Sequence, residues 1–173
     1  MPDRLAVVDA FHSEIVRFID REIYPKVSKL QAQIRQNNNM HKYVNRLGVL
    51  YGRYGLTDKA VAQFEKILKA NQYVPALINM GNISFLKKDI KGALVYYQRA
   101  SAKDPDNPKV LLSVARCSHE LENYGLVRES YDKLKTLDPD LAEQFAYLAL
   151  RGEEAARAAE ISEVMEVVVW DEE

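Results

Sequence analysis

Apolar residues recur at three- to four-residue intervals along most of the chain, the period of a helix that buries one face. Before residue 40 the stripe runs Leu5, Val8, Phe11, Ile15, Phe18, Ile19 and Ile23. Pro25 should then break or kink the helix, because it lacks an N–H and its ring meets the preceding turn. Val27, Leu30 and Ile34 resume the period, and Asn37-Asn38-Asn39 closes it as a turn by composition. Residues 1–40 are therefore expected to form an N-terminal helical segment packed on whatever follows. The same stripe could alternatively pair with a second copy of itself.

From residue 41 the pattern repeats on itself. Three segments superpose: His41–Tyr73, Val74–Asn107 and Pro108–Leu141. Gly48, Gly81 and Ala115 fall at equivalent places in the first helix of each segment, and Ala60, Ala93 and Val127 in the second. Small side chains at both places let the paired helices approach closely. Phe64, Tyr97 and Tyr131 each follow the second small residue by four positions, one helical turn on the same face, where a ring can fill the gap to the next unit. Asp104-Pro105 and Asp138-Pro139 recur 34 residues apart and mark helix ends.

These residues carry a resemblance to the tetratricopeptide repeat family, in which each unit is a helix pair of about 34 residues with small residues at the crossing and an aromatic in the second helix. The stretch Gly81–Ala100 is a near-complete match, and the first unit matches through Leu47, Gly48, Tyr51, Gly55, Ala60, Phe64 and Ile67. The first unit departs in lacking the terminal Asp-Pro, and the third in having Ala115 for glycine and Val127 for alanine. The resemblance implies an all-α, right-handed solenoid of three helical hairpins (41–73, 74–107, 108–141). It also implies a protein or peptide as the partner.

A solenoid needs its last core face covered. Ala142, Phe145, Ala146, Leu148 and Ala149 share one face, so a capping helix is expected over 142–163. The character then changes at 164–173, where Val167-Val168-Val169-Trp170 precedes Asp171-Glu172-Glu173.

In arrays of this kind the first helices line the concave wall. Carried over residue by residue, the resemblance implies a peptide-binding wall of Lys42, Asn45, Arg46, Val49 and Arg53 from the first unit. The second supplies Ile78, Asn79, Asn82 and Phe85, and the third Lys109, Leu112, Ser113, Arg116 and His119. Asparagines donate and accept, which suits the backbone of an extended peptide. Lys42, Arg46, Arg53, Lys109 and Arg116 make the wall basic. The family's chaperone-tail binders use a clamp of basic and asparagine side chains; only Asn79 and Lys109 fall at its positions here, while Asn45, Val49 and Ser113 depart from it.

Charge sharpens this picture. The 173 residues carry a net charge of only −1, yet residues 153–173 hold eight acids and one base, a net −7, which leaves about +6 on the rest. The acidic, apolar tail is thus a candidate ligand for the basic groove, docking on its own array or on a neighbouring copy; a frayed chain end is the alternative. The expected partner is a protein or peptide, acidic or the chain's own tail, with a homo-oligomer assembled through terminal helices or tail as the alternative function.

Other chemistry is not indicated. His12, His41 and His119 lie far apart in sequence and in no metal-ligand spacing, and no glycine-rich loop could cradle a phosphate. We therefore expect no enzyme activity, no cofactor and no metal. The basic excess is not interleaved with aromatics as a nucleic-acid stacking platform would be. No apolar run approaches the length of a membrane span, and the first residues lack a secretory pattern. The single cysteine, Cys117, excludes an internal disulfide and fits a reducing, cytoplasmic setting as a buried packing residue.

Overall fold

The computed structural model describes residues 4–36, 40–150 and 168–173. Among them the chain is an all-α helical-hairpin solenoid without strands. Its helices are α1 (Arg4–Phe18), α2 (Tyr24–Gln36), α3 (Met40–Arg53), α4 (Thr57–Leu68), α5 (Val74–Leu86), α6 (Ile90–Ser101), α7 (Pro108–Glu120), α8 (Tyr124–Leu137) and the short α9 (Pro139–Gln144).

The hairpins α3/α4, α5/α6 and α7/α8 are the three repeats, and each pairs through its small residues. A Cβ placed on Gly48 would lie 2.5 Å from the Phe64 ring, and one on Gly81 would lie 2.5 Å from the ring of Tyr97. Glycine is therefore required at both crossings by the aromatic that packs there, which is why the two residue types recur together. The core is continuous along the array. Ala76, Met80 and Ile83 of α5 pack with the first hairpin, and Val110, Val114 and Cys117 of α7 with the second.

Local chemistry sets the helix boundaries. Asn107 caps α7 by accepting from the backbone N–H groups of Lys109 (3.0 Å) and Val110 (3.3 Å). Asp138 caps α9 through Leu141 N–H at 2.9 Å, with Pro139 in the first turn, where no donor is needed.

The flanks depart from expectation at both ends. Ahead of Pro25 the helix does not stop; it widens into a π-helical turn, Ile19–Ile23, that relieves the clash a proline makes with the turn before it. α2 packs along the first repeat, and α1 meets it at its last residue, where the Phe18 ring stands edge-on to Tyr54 at 6.0 Å. Of the elements described, α1 touches chiefly the π turn, and Val7, Val8 and Phe11 remain 55%, 56% and 69% exposed. The expected N-terminal pair is thus one packed helix and one that is bare along Val7, Val8 and Phe11.

At the other end, the helix expected to start at 142 begins earlier and is shorter. α9 ends at Gln144, a 3₁₀ turn follows at Ala146–Ala149, and Leu150 is extended. Ala142, Phe145, Tyr147 and Leu148 nevertheless bury themselves in the third repeat's core, and Tyr131 donates to the Ala142 carbonyl at 2.9 Å. The remainder of the expected capping helix, 151–163, lies outside the described residues.

Candidate functional site: the concave wall

Helices α3, α5 and α7 stand side by side and form one wall of the array. Residues 168–173 lie across it. Three asparagines hold the backbone of this segment. Asn79 binds both backbone polar groups of Asp171: its Oδ1 accepts from Asp171 N–H at 2.9 Å and its Nδ2 donates to the Asp171 carbonyl at 2.7 Å. Asn45 Nδ2 donates to that same carbonyl at 2.7 Å, and Asn82 Nδ2 to the Val169 carbonyl at 3.0 Å. Arg46 Nε donates to the Glu172 carbonyl at 3.0 Å, and the Tyr73 hydroxyl to the Glu173 carbonyl.

The asparagine amides are themselves fixed. Asn79 Nδ2 also donates to Asn45 Oδ1 at 3.0 Å, and the Tyr97 hydroxyl donates to Asn82 Oδ1 at 2.7 Å. Tyr97 is well placed for that role, since burial pushes its pKa far above the ordinary tyrosine value and keeps the hydroxyl proton on. Burial, reinforced by the carboxylates of Asp171 and Glu173, raises that of Tyr73 too. Asn45, Asn79 and Asn82 are buried, so each would cost stability without these partners.

Side chains of the segment fill matching features. The Asp171 carboxylate, only 3% exposed as a residue, meets Lys109 Nζ at 3.3 Å. Glu172 is ion-paired with Arg53 at the surface. Trp170 lies on Gly52, where an added Cβ would come within 2.6 Å of the indole. In the repeat register Gly52 corresponds to Phe85 and His119, so the first unit has a vacancy where the others carry a ring, and the tryptophan occupies it.

Of the residues expected on the wall, Asn45, Arg46, Arg53, Asn79, Asn82 and Lys109 all contact the segment. Ile78, Leu112, Val49 and Phe85 are core residues. Arg116 is 6% exposed, with its guanidinium over the rings of Phe85 (4.8 Å) and Phe145 (5.2 Å), so it ties the array to its C-terminal cover. His119 stands edge-on to Tyr124 and Tyr147, and burial lowers its pKa. Ser113 bonds back to the Lys109 carbonyl within its own helix, and Lys42 lies half-buried near the start of α3. Sequence reasoning missed Gly52, Tyr73 and Tyr97 as site residues; the break in aromatic register at Gly52 was the available signal.

Buried Cys117 has its thiol pKa pushed up to about 12 by burial, which keeps it an unreactive packing residue. Among the described residues, no group of three or more His, Cys, Asp or Glu could hold a metal ion, and no helix is long and apolar enough to cross a membrane.

Comparison with known proteins agrees with this architecture. The chain is 33% identical over 93 residues to the chloroplastic tetratricopeptide repeat domain-containing protein PYG7 of Arabidopsis thaliana, covering 50% of this chain and 31% of that protein. The likeness is to a tetratricopeptide-repeat protein. No family model matches it. Among solved structures, it superposes on MamA with a TM-score of 0.60 at 20% identity, over 76% of this chain and 81% of MamA. A tetratricopeptide repeat protein from Parabacteroides merdae gives 0.63 at 16% identity, over 91% and 66% of the two chains. These two likenesses concern the fold. The chain spans about a third or less of the curated relatives it matches.

Proposed function

We propose that the concave wall binds an extended peptide segment of a partner, and that the chain's own C-terminal residues are such a segment bound in cis. The reading is carried by Asn79, which grips both the backbone N–H and the backbone carbonyl of one residue, Asp171. Backbone hydrogen bonds of that kind accept any residue in an extended strand. Selectivity then comes from the side-chain sites: Gly52 for an aromatic ring, Lys109 for a buried carboxylate and Arg53 for an exposed acid. A partner would displace the tail, so the tail acts as an intramolecular competitor.

The test uses the full chain carrying Trp170→Ala with Asp171→Ala, which removes the tail's two anchors and leaves the wall intact. A fluorescein-labelled Val-Val-Trp-Asp-Glu-Glu peptide should bind it with a saturable rise in anisotropy. Adding Asn79→Ala should weaken binding by tenfold or more, since two hydrogen bonds of about 1 kcal/mol each are lost. Absence of saturable binding to the Trp170→Ala, Asp171→Ala chain would remove the groove as a peptide site.

A second reading, a homo-oligomer built through terminal helices, is favoured by the bare apolar side chains of α1. Light scattering that reports a concentration-independent monomer would exclude it.

A further inference from the structure

Between α2 and α3, next to the acidic end of the docked segment, lies an open cavity of about 580 Å³. Four basic side chains line it: Lys26 and Lys29 of α2, Arg46 and Arg53 of α3. Its apolar lining includes Val49 and Leu50, and Glu172 is the only acid that reaches it. Charge here is out of balance. Glu172 pairs with Arg53 alone, while the Arg46 guanidinium is engaged by a carbonyl and not by a carboxylate. On the α2 side, Lys26 has a glutamate of its own helix, Glu22, at 4.0 Å, and Lys29 is exposed at the cavity edge.

From this imbalance, and resting on the groove reading above, we infer that the partner is a peptide in which an aromatic–aspartate pair is followed by a run of acids, its later carboxylates entering the cavity of Lys26, Lys29, Arg46 and Arg53. The docked segment is then an incomplete version of the ligand. It fills the ring vacancy at Gly52 and the carboxylate site at Lys109, but brings one acid to a cavity walled by four bases. The cavity also explains how a partner prevails over a tethered competitor. A competitor tethered to the same chain has an effective concentration on the order of millimolar, so a ligand in trans needs contacts the tail does not make. Two or three further ion pairs at the cavity rim supply them, each modest because exposed and weakened by salt.

The experiment compares three fluorescein-labelled peptides on the full chain carrying Trp170→Ala with Asp171→Ala. They are Val-Val-Trp-Asp-Glu-Glu, the same peptide with four glutamates added after it, and the same with four glutamates added before it. The last two have equal charge and differ only in which end carries it. At low salt, acids placed after the aspartate should tighten binding by about tenfold, and acids placed before it by less than about twofold. Lys26→Gln with Lys29→Gln should abolish the difference between the two longer peptides and weaken the short peptide, which brings a single acid to the cavity, by less; both residues are exposed on α2, and circular dichroism checks that the helices persist. Equal gains from the two longer peptides would overturn the inference and leave the groove reading in place, because general attraction would then account for them. If none of the three binds, the groove reading fails and the inference with it.

Discussion

The two ends of the chain dispose of apolar surface in opposite ways. α1 offers a full helix of alternating apolar and polar positions, yet Val7, Val8 and Phe11 stay more than half exposed. The last six residues have less apolar surface and no regular secondary structure, yet they place a valine, a tryptophan and an aspartate against the array. What separates them is the treatment of backbone polar groups. A helix satisfies its own N–H and carbonyl groups and can dock anywhere or nowhere, so an apolar stripe alone does not say where it goes. An extended segment brings unpaired amides that must find partners. The wall supplies them at residues 169, 171, 172 and 173. Directional bonds specify one site where hydrophobic contact does not.

The strongest way to break this comparison is Asn79→Ala. It strips partners from Asp171 N–H and from one face of its carbonyl in a site where the residue is 3% exposed. Each buried amide group left unpaired costs about 1–3 kcal/mol, enough to release a short segment. Trp170 is the only tryptophan in the chain, so its fluorescence reports the segment directly. In the parent chain emission should be blue-shifted from that of free indole and should move to the solvent value on denaturation. In Asn79→Ala it should start at the solvent value, with helix content by circular dichroism unchanged. Parent and variant emitting alike would show that the asparagine does not hold the tail.

The contrast also explains what was legible beforehand. The repeat was readable because Gly48 with Phe64 and Gly81 with Tyr97 couple a local spacing to a packing requirement, and the same pairs meet in the fold. The wall was half readable. Asn45, Asn79 and Asn82 stood out because the resemblance puts them on the wall and an amide that donates and accepts suits a peptide backbone, and Lys109, Arg46 and Arg53 by their charge. Arg116 carried the same charge signal, yet Phe85 and Phe145 bracket its guanidinium, and Phe145 comes from a different element. That is a tertiary fact with no local mark. α1 misled for a related reason: periodicity establishes a helix and an apolar face, but the covering of that face depends on surfaces the period does not encode. The early end of α9 had a similar origin, because Phe145 and Leu148 turn inward and leave the helical path to cover the third repeat.

A subtler test separates the body's stability from the tail's docking. Gly52→Ala should act on them with opposite sign. Within α3, alanine is favoured over glycine by about 1 kcal/mol, so the thermal midpoint of the helical body should hold or rise. The new methyl would stand 2.6 Å from the Trp170 ring, so the indole must move; overpacking of this kind costs about 1–3 kcal/mol. Trp170 emission should therefore shift to longer wavelength while the midpoint does not fall. A fall in both would mean that Gly52 serves the packing of α3 on its neighbours, and no change in emission would mean that the ring is not seated there.

The smallest expected effect is at the other end. Phe11→Ser removes a phenyl ring that is 69% exposed and lies outside all three clusters of the core. Substitutions at such positions usually change stability by less than about 0.5 kcal/mol, so the urea midpoint of the dilute protein should be that of the parent, and Trp170 emission should not move. Concentration makes this near-zero expectation informative. If α1 pairs with a second copy, the parent midpoint must rise as protein concentration rises, because association stabilises only the folded chain, and Phe11→Ser must flatten that rise. A parent midpoint independent of concentration, matched by the variant, leaves α1 as a helix without a partner in the isolated chain. A loss of several kcal/mol from Phe11→Ser in dilute solution would contradict the comparison itself, since it would mean that the stripe is already buried and that the two ends of the chain are held alike.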